Sequence, residues 1–359
     1  MKVLLAMSGG VDSSVAGALL LDAGHDVVGV TMKLWGGTSD TGCCSVSDVD
    51  DARRVAQQLD IDHLVFNFGD DFGEHVVDRY VGDHALGLTP NPCIECNRHI
   101  KFARLIDRAH QLGFDAVATG HHARIDRDGE RYRLLRGADA AKDQSYVVHM
   151  LDQAALSRTL FPVGSIDKAE VRRIAADLSL RTADKPDSQD VCFIPAAAGR
   201  AEFLGDRIPF RSGTVVDTDG RDVGAVAAVE LVTIGQRRGL GLPGGGPKRY
   251  VIDVDVEARR VVVGAEASLD STLVTVADPA WTDRPVTGEV MIQTSAHGRA
   301  VPARIDRADD VDGPTRLVVT TAAPHRRVAP GQSVVFYTPD DREVVGGGVA
   351  VRSQPTGSR

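Results

Sequence analysis

Two features of this 359-residue chain could do chemistry: a glycine–serine loop near its start and a set of five cysteines. The loop is Ser8-Gly9-Gly10-Val11-Asp12-Ser13-Ser14, set between a short apolar run over 3–7 and a helical pattern over 13–22. Two glycines let the backbone come close to an anion, and the N–H groups that open a helix point at it. Ser8, Ser13 and Ser14 add hydroxyl donors. Together they form a phosphate-binding arrangement. No lysine follows the glycines, so this is not the Walker loop of GTPases and common ATPases. A bare Gly-Gly would read as a plain strand–helix joint, whereas the whole run at the first joint of an α/β chain reads as a nucleotide site.

The cysteines are Cys43, Cys44, Cys93, Cys96 and Cys192, an odd number in a long chain, which argues against a disulfide framework. Cys93 and Cys96 fall in Thr89-Pro90-Asn91-Pro92-Cys93-Ile94-Glu95-Cys96-Asn97-Arg98. This stretch reads as a loop stiffened by two prolines, ahead of a helix from Ile100 whose positive end favours a thiolate. Cys192 follows the polar residues 187–190 and leads into an apolar stretch. Three readings stand on the residues alone. The thiols are ordinary small hydrophobes, they bind metal, or they form a reactive pair in which one carries sulfur and the other resolves it by exchange. For zinc, Cys93-x-x-Cys96 lacks a second CxxC, and the adjacent Cys43-Cys44 is a poor partner geometry. Cys93, Cys96 and Cys192 would alternatively supply three thiolates to an iron–sulfur cluster with one open iron.

Alternating strand and helix patterns must position these groups. Strands are predicted at 3–7, 26–32, 63–68 and 116–120, and helices at 13–22, 48–59, 71–86, 100–112 and 168–180. Such alternation implies a doubly wound parallel sheet covered on both faces. From about Phe210 the texture becomes all-β, with short β-branched runs at 213–216, 229–234, 250–254, 260–263, 273–276, 316–321, 333–337 and 343–351. We therefore expect an α/β catalytic domain over 1–208, a small central β domain over 209–270, a C-terminal β-barrel over 271–352 and a disordered tail over 353–359. No apolar run reaches the roughly 20 residues of a membrane span, and the start is too soon interrupted by Ser8-Gly9-Gly10 for a signal peptide. A cytoplasmic protein with no membrane partner is expected. The formal net charge of −9 means that any nucleic-acid surface must be local. Candidates are Arg98, Lys101, Arg104 and Arg108, then Arg237, Arg238, Lys248 and Arg249, and finally Arg326 and Arg327.

The loop itself resembles the PP-loop of ATP pyrophosphatases, which split ATP into AMP and pyrophosphate. It recurs here with Met32-Lys33, residues 89–102, Thr119-Gly120-His121-His122, Lys142-Asp143-Gln144-Ser145-Tyr146, Asp190-Val191-Cys192-Phe193-Ile194-Pro195 and residues 233–241. In this order they resemble the tRNA-specific 2-thiouridylases, over about residues 1–352. The resemblance implies an N-terminal ATP pyrophosphatase domain followed by two β domains, and ATP-dependent replacement of the C2 oxygen of the wobble uridine by sulfur. It implies ATP contacts at Ala6, Met7, Ser8, Gly9, Gly10, Val11, Asp12, Ser13, Met32 and Gly120, with Asp12 helping to hold the accompanying magnesium. Cys192 would receive sulfur as a persulfide from a donor protein. Cys96 would be the nucleophile that releases it, leaving a transient Cys96–Cys192 disulfide. Asn91, Pro92 and Cys93 would lie at the target base, and His121, Lys142, Asp143, Gln144 and Gln332 would meet the tRNA anticodon region. The chain departs from the family pattern at Cys93, where many members have Asp, and at residues 294–299, which lack an expected Arg-Tyr pair. Alternative readings are another PP-loop ligase that forms amides, or a non-catalytic RNA-binding protein with a vestigial nucleotide site.

Overall fold

The computed structural model describes residues 1–35, 46–187, 191–194, 199–243, 246–307 and 316–352. Cys43, Cys44, residues 188–190 and the tail 353–359 lie outside them.

The first strand, β1 (Lys2–Ala6), is apolar without alternation, and Val3, Leu4 and Leu5 have no exposed surface. That is the signature of a central strand covered on both faces. It is followed by β2 (Asp26–Lys33), β3 (His63–Asn67), β4 (Ala116–Ala118), a hairpin of β5 (Ala123–Asp128) and β6 (Arg131–Arg136), and β7 (Thr159–Leu160). The parallel sheet runs β3-β2-β1-β4-β7. The chain winds outward through β2 and β3, then returns to the other side of β1 at β4. That reversal puts the ligand crevice of an open α/β sheet at the carboxyl ends of β1 and β4.

Successive side chains of β1 feed opposite layers. Val3 and Leu5 pack with Val15, Ala16, Leu20, Val55 and Val171, from helices α1 (Val11–Asp22), α2 (Val46–Gln58) and one described below. Leu4 and Ala6 pack with Phe72, Tyr80, Ile100, Leu105, Phe193 and Phe203. Each fully buried aliphatic or aromatic side chain contributes roughly 1.5–3 kcal/mol, so β1 is the sheet's main anchor.

Two helical boundaries differ from the sequence reading. The predicted helix over 71–86 runs from Gly69 to Ala85 with a π-helical turn at Gly73–Asp78. The predicted helix over 100–112 starts eight positions earlier, as a continuous run α3 made of Pro92–Glu95, a π-helical segment Cys96–Arg104, and Leu105–Gln111. Asn91 caps it, its Oδ1 accepting from Cys93 N at 3.1 Å, and Pro92 occupies the first helical position. Pro in that position lacks only an N–H that no helix would use. What reads as a stiff loop is therefore a helix start. Cys93 and Cys96 stand in its first turns.

The second domain contains β8 (Gly213–Val216), β9 (Asp222–Val226), β10 (Tyr250–Asp255) and β11 (Arg260–Gly264), in the order β10-β11-β8-β9 around Val215, Val251 and Val261. The strand predicted at 229–234 is instead a 3₁₀ turn, Val229–Leu231. Glu230 is buried there and accepts from Arg211 Nε at 2.7 Å, so a long-range ion pair overrides a local β pattern.

The third domain is a closed six-stranded barrel of β12 (Asp270–Trp281), β13 (Gly288–Gln293), β14 (Val301–Arg307), β15 (Arg316–Arg326), β16 (Ser333–Tyr337) and β17 (Glu343–Val351). The order is β12-β15-β14-β13-β16-β17, with β17 pairing back onto β12.

The β5–β6 hairpin, which the sequence analysis does not predict, ties the first domain to this barrel. Leu134 and Leu135 pair with Val344 and Glu343 of β17. Glu343, 3% exposed, accepts from Arg133 Nε at 2.8 Å and also pairs with Arg131. The guanidinium of Arg136 lies 3.7 Å from the Tyr337 ring centroid and donates to Asp143 (2.7 Å), Gln293 (3.0 Å) and Asp341 (2.6 Å). A second tie joins Thr89 to the barrel. Its N–H donates to Pro330 O at 2.7 Å, and its carbonyl accepts from Gln332 Nε2, also at 2.7 Å. The segment leading into Asn91, Pro92 and Cys93 is thus fixed by the barrel.

Candidate nucleotide and sulfur-transfer site

The loop after β1 is shaped by hydroxyls turned inward. Ser13 Oγ and Ser14 Oγ donate to Gly10 O at 3.1 and 2.8 Å, and Ser8 N donates to Ser13 Oγ at 3.3 Å. Gly9 has φ +69°, and a Cβ there would lie 2.5 Å from the carbonyl oxygen of Asp48. The loop therefore needs glycine both for its left-handed turn and for its packing on the start of α2. Gly120, just beyond β4, meets it from across the crevice. A Cβ on Gly120 would stand 2.7 Å from Ser13 N and 2.8 Å from Asp12 C. The structure thus brings Gly120 onto Asp12 and Ser13, joining two segments that the sequence separates widely. Backbone this exposed to close approach fits a nucleotide phosphate.

Asp12 is the electrostatic centre of the loop. Its carboxylate accepts from Lys168 Nζ at 2.6 and 2.7 Å and contacts His122 Nε2 at 3.0 Å. Burial alone would raise its pKa, but the bonds from His122 and Lys168 outweigh burial and hold it below the usual carboxylate range. Lys168 opens helix α4 (Lys168–Asp177), capped by Asp167, and is 9% exposed. Its Nζ also reaches Asp187 at 3.0 Å. Asp187 binds Lys142 Nζ at 2.9 Å and Arg172 at 2.9 Å as well. Burial opposes the ionised form of Asp187, yet these cations bring its pKa down to about 2.

Sequence reasoning missed Lys168 and Asp187. A signal existed: a lysine at the first position of a helix opposes the helix dipole, where acidic residues are preferred. Such a broken local rule points to a site.

Two of the thiols share the apolar layer that packs on Leu4 and Ala6 of β1. Cys96 is 7% exposed and belongs to the apolar cluster of Phe72, Tyr80, Phe193 and Phe203. Cys192, half-buried, packs against the same cluster, so the fold puts both thiols in one apolar layer from distant parts of the chain. Cys93 is half-buried at the start of α3. Among the described residues no three His, Cys, Asp or Glu side chains converge to hold a metal ion. Cys93, Cys96 and Cys192 thus do not converge as a cluster site. A single carboxylate at Asp12 does suit magnesium, which is commonly held by one or two carboxylates and the substrate's own phosphates.

The remaining residues implicated in tRNA contact occupy different settings. His121 is buried between the rings of Phe102 and Phe161, with its Nδ1 2.7 Å from Thr119 Oγ1, and burial keeps it neutral, its pKa well below the ordinary value. Gln144 brackets the neighbouring His122, accepting from its N–H at 2.9 Å and donating backbone N–H to its carbonyl at 2.8 Å. Asp143 accepts from Arg136, Gly137 N and Ser145. Lys142, Asp143 and Gln144 therefore link the phosphate-site ion network to the domain junction.

Family models match nearly the whole chain. They are described as a tRNA methyl transferase HUP domain over residues 1–196, a tRNA methyl transferase PRC-barrel domain over 201–265 and an aminomethyltransferase beta-barrel domain over 271–350. A curated tRNA-specific 2-thiouridylase from Chloroflexus aurantiacus is 47% identical, covering 98% of this chain and 99% of its own length. One from Mycobacteroides abscessus is 48% identical, covering 98% and 100%. The chain belongs to the tRNA-specific 2-thiouridylase family. Among solved structures, the U34-tRNA thiolase NcsA from Methanococcus maripaludis with its [4Fe-4S] cluster matches at 18% identity and a TM-score of 0.36, over 57% of this chain and 63% of that one. A likeness that low carries no argument. Family membership agrees with the α/β domain and the two β domains seen here. No helix among the described residues is long and apolar enough to cross a membrane.

Proposed function

We propose that this protein uses ATP to replace the C2 oxygen of the tRNA wobble uridine by sulfur, releasing AMP and pyrophosphate. The observation that carries this reading is the joint presence of a glycine loop closed by Gly120 and a Cys96–Cys192 pair on one apolar cluster. The family models are described by methyl transfer, but a methyl transferase needs neither a phosphate loop nor two gathered thiols. An amide-forming ligase needs no thiol pair either.

ATP would lie on Ala6 to Ser13, Met32 and Gly120, with magnesium on Asp12 supplying charge neutralisation of the phosphates. The uridine O2 attacks the α-phosphorus and pyrophosphate leaves, which turns a poor leaving group into AMP. The terminal sulfur of a Cys192 persulfide, delivered by a donor protein, then attacks C2 and AMP departs. Cys96 thiolate attacks the Cys192 sulfur, freeing 2-thiouridine and leaving a Cys96–Cys192 disulfide that an external dithiol reduces. The base must leave its stack, which costs little in a single-stranded anticodon loop. Asn91, Pro92 and Cys93 would flank it, and Gln332, whose Nε2 donates to Thr89 O at 2.7 Å, supports the segment that leads into them. Such an enzyme works where tRNA is, in the cytoplasm. The test is a quantitative assay of AMP and pyrophosphate with purified protein. Formation only with tRNA present is expected; hydrolysis indifferent to tRNA would defeat the reading.

The basic residues divide sharply. Arg104 is paired with Asp71, Arg98 with Glu95 (3.8 Å), and Arg326 and Arg327 donate to carbonyls of Gly235 and Ile252. Arg237, Arg238 and Lys248 are exposed, and among the described residues no hydrogen bond or ion pair engages their side chains. The central domain is thus the better source of phosphate contacts. Arg237→Ala with Arg238→Ala should weaken tRNA binding and flatten the plot of log affinity against log salt by roughly one unit per lost contact. Arg104→Ala should change it little. The check is filter binding across a salt series; an unchanged slope in the double variant rejects this surface.

A further inference from the structure

We infer that Lys168 is the phosphate-binding lysine that the glycine loop lacks. It takes the β- and γ-phosphates of ATP, and then the departing pyrophosphate, in exchange for its resting partners Asp12 and Asp187. The inference rests on the nucleotide reading above.

Lys168 Nζ touches both oxygens of Asp12, at 2.6 and 2.7 Å, in the loop where phosphate would sit. The residue is nine-tenths buried, and its place at the head of α4 works against the helix dipole, so helix stability does not account for it. A buried ammonium leaves a half-buried carboxylate without loss only when it finds a new opposite charge. Magnesium–ATP offers that exchange: the cation goes to Asp12 and the phosphate oxygens go to Lys168. Asp187 is built to release one cation, because it keeps Lys142 and Arg172 at 2.9 Å each. In the reaction, the uridine O2–phosphorus bond forms and the bond from the α-phosphorus to its bridging oxygen breaks. The electron pair stays on pyrophosphate, whose added charge a desolvated ammonium stabilises strongly.

The competing account makes Lys168 a strut that only holds Asp12 in place. Calorimetric titration with AMP and with magnesium pyrophosphate separates the two, because AMP lacks the phosphates in question. Lys168→Met should bind AMP within about twofold of wild type but pyrophosphate about tenfold or more weakly, as expected for loss of a charged hydrogen bond. Its rate of pyrophosphate release should fall roughly 100-fold. Lys168→Arg, which keeps the charge and guards against a folding defect in the first variant, should recover most of the pyrophosphate affinity. Unchanged pyrophosphate affinity in Lys168→Met, or AMP and pyrophosphate affinities falling together in both variants, overturns the inference. Wild-type protein that binds neither ligand overturns the nucleotide reading with it.

Discussion

Asp12→Asn yields a folded protein whose pyrophosphate release is at least roughly 100-fold slower than wild type at saturating ATP. The side chain keeps its size and one oxygen, so the contact with His122 Nε2, 3.0 Å in the native loop, can persist. What disappears is the negative charge that Lys168 faces and that a magnesium ion accompanying ATP would use. Removing one partner of a fully buried pair costs about 3–5 kcal/mol. Here the cost is smaller, because the Asp12 side chain is 30% exposed and Lys168 retains Asp187 at 3.0 Å. A thermal melt should therefore move by only a few degrees. A coupled pyrophosphate assay beside that melt tests the claim. Wild-type turnover by the variant would remove Asp12 from the chemistry, and a collapsed melt with no activity would make it a structural residue.

The parts legible in the sequence are those whose meaning is local. Ser8 to Ser14 are contiguous, and glycine is required there for a reason that neighbours in the chain supply. The parallel sheet was visible because β1 to β4 are short apolar runs separated by helical patterns. Four of the six barrel strands were visible for a similar reason, whereas β13 and β14 were not, and the closure of β17 onto β12 is a pairing that no local pattern encodes. Failures came where local chemistry points two ways. Asn91-Pro92 reads equally as a turn and as a helix cap, and only packing decides; the buried Ile94 and Ile100 anchor the cap reading. The β5–β6 hairpin hides its apolar face, Ile125, Tyr132 and Leu134, among five arginines, of which Arg131, Arg133 and Arg136 have partners across the domain junction. Lys168 could not be matched to Asp12 because 156 positions separate them. Only its awkward place at a helix start gave it away.

Cys192→Ser and Cys96→Ser both abolish thiolation, but they stop the reaction at different species. The comparison requires protein loaded with inorganic polysulfide, separated from the excess by gel filtration without reductant, and given tRNA and ATP for a single turnover. Cys192→Ser has no thiol there to carry sulfane sulfur, so it releases pyrophosphate and leaves adenylated uridine, from which AMP departs only as water restores uridine, without attaching sulfur to tRNA. Cys96→Ser carries sulfur on Cys192 and attacks C2, but cannot resolve the product. It should accumulate a covalent tRNA–protein adduct that dithiothreitol cleaves to 2-thiouridine. AMP affinity is measured for both variants beside the turnover, because their cluster also contains Ala6 and Met32 of the nucleotide site, and retained AMP binding is expected. Serine in place of buried Cys96 places a hydroxyl among aromatic rings and costs about 1–3 kcal/mol, so melts accompany the assay. Cys93 decides the rival chemistry. It is half-buried beside the Asn91 cap, and in the persulfide route Cys93→Asp stays active. Protein purified without oxygen is then assayed for iron and sulfide in wild type, Cys93→Asp and Cys93→Ser. Iron near four per chain in wild type, lost together with thiolation in both variants, would establish a three-cysteine cluster and end the persulfide route. Thiolation by iron-free Cys93→Asp, with the reducible adduct trapped in Cys96→Ser, is the expected result, because it needs only the two thiols that the fold already gathers on one cluster.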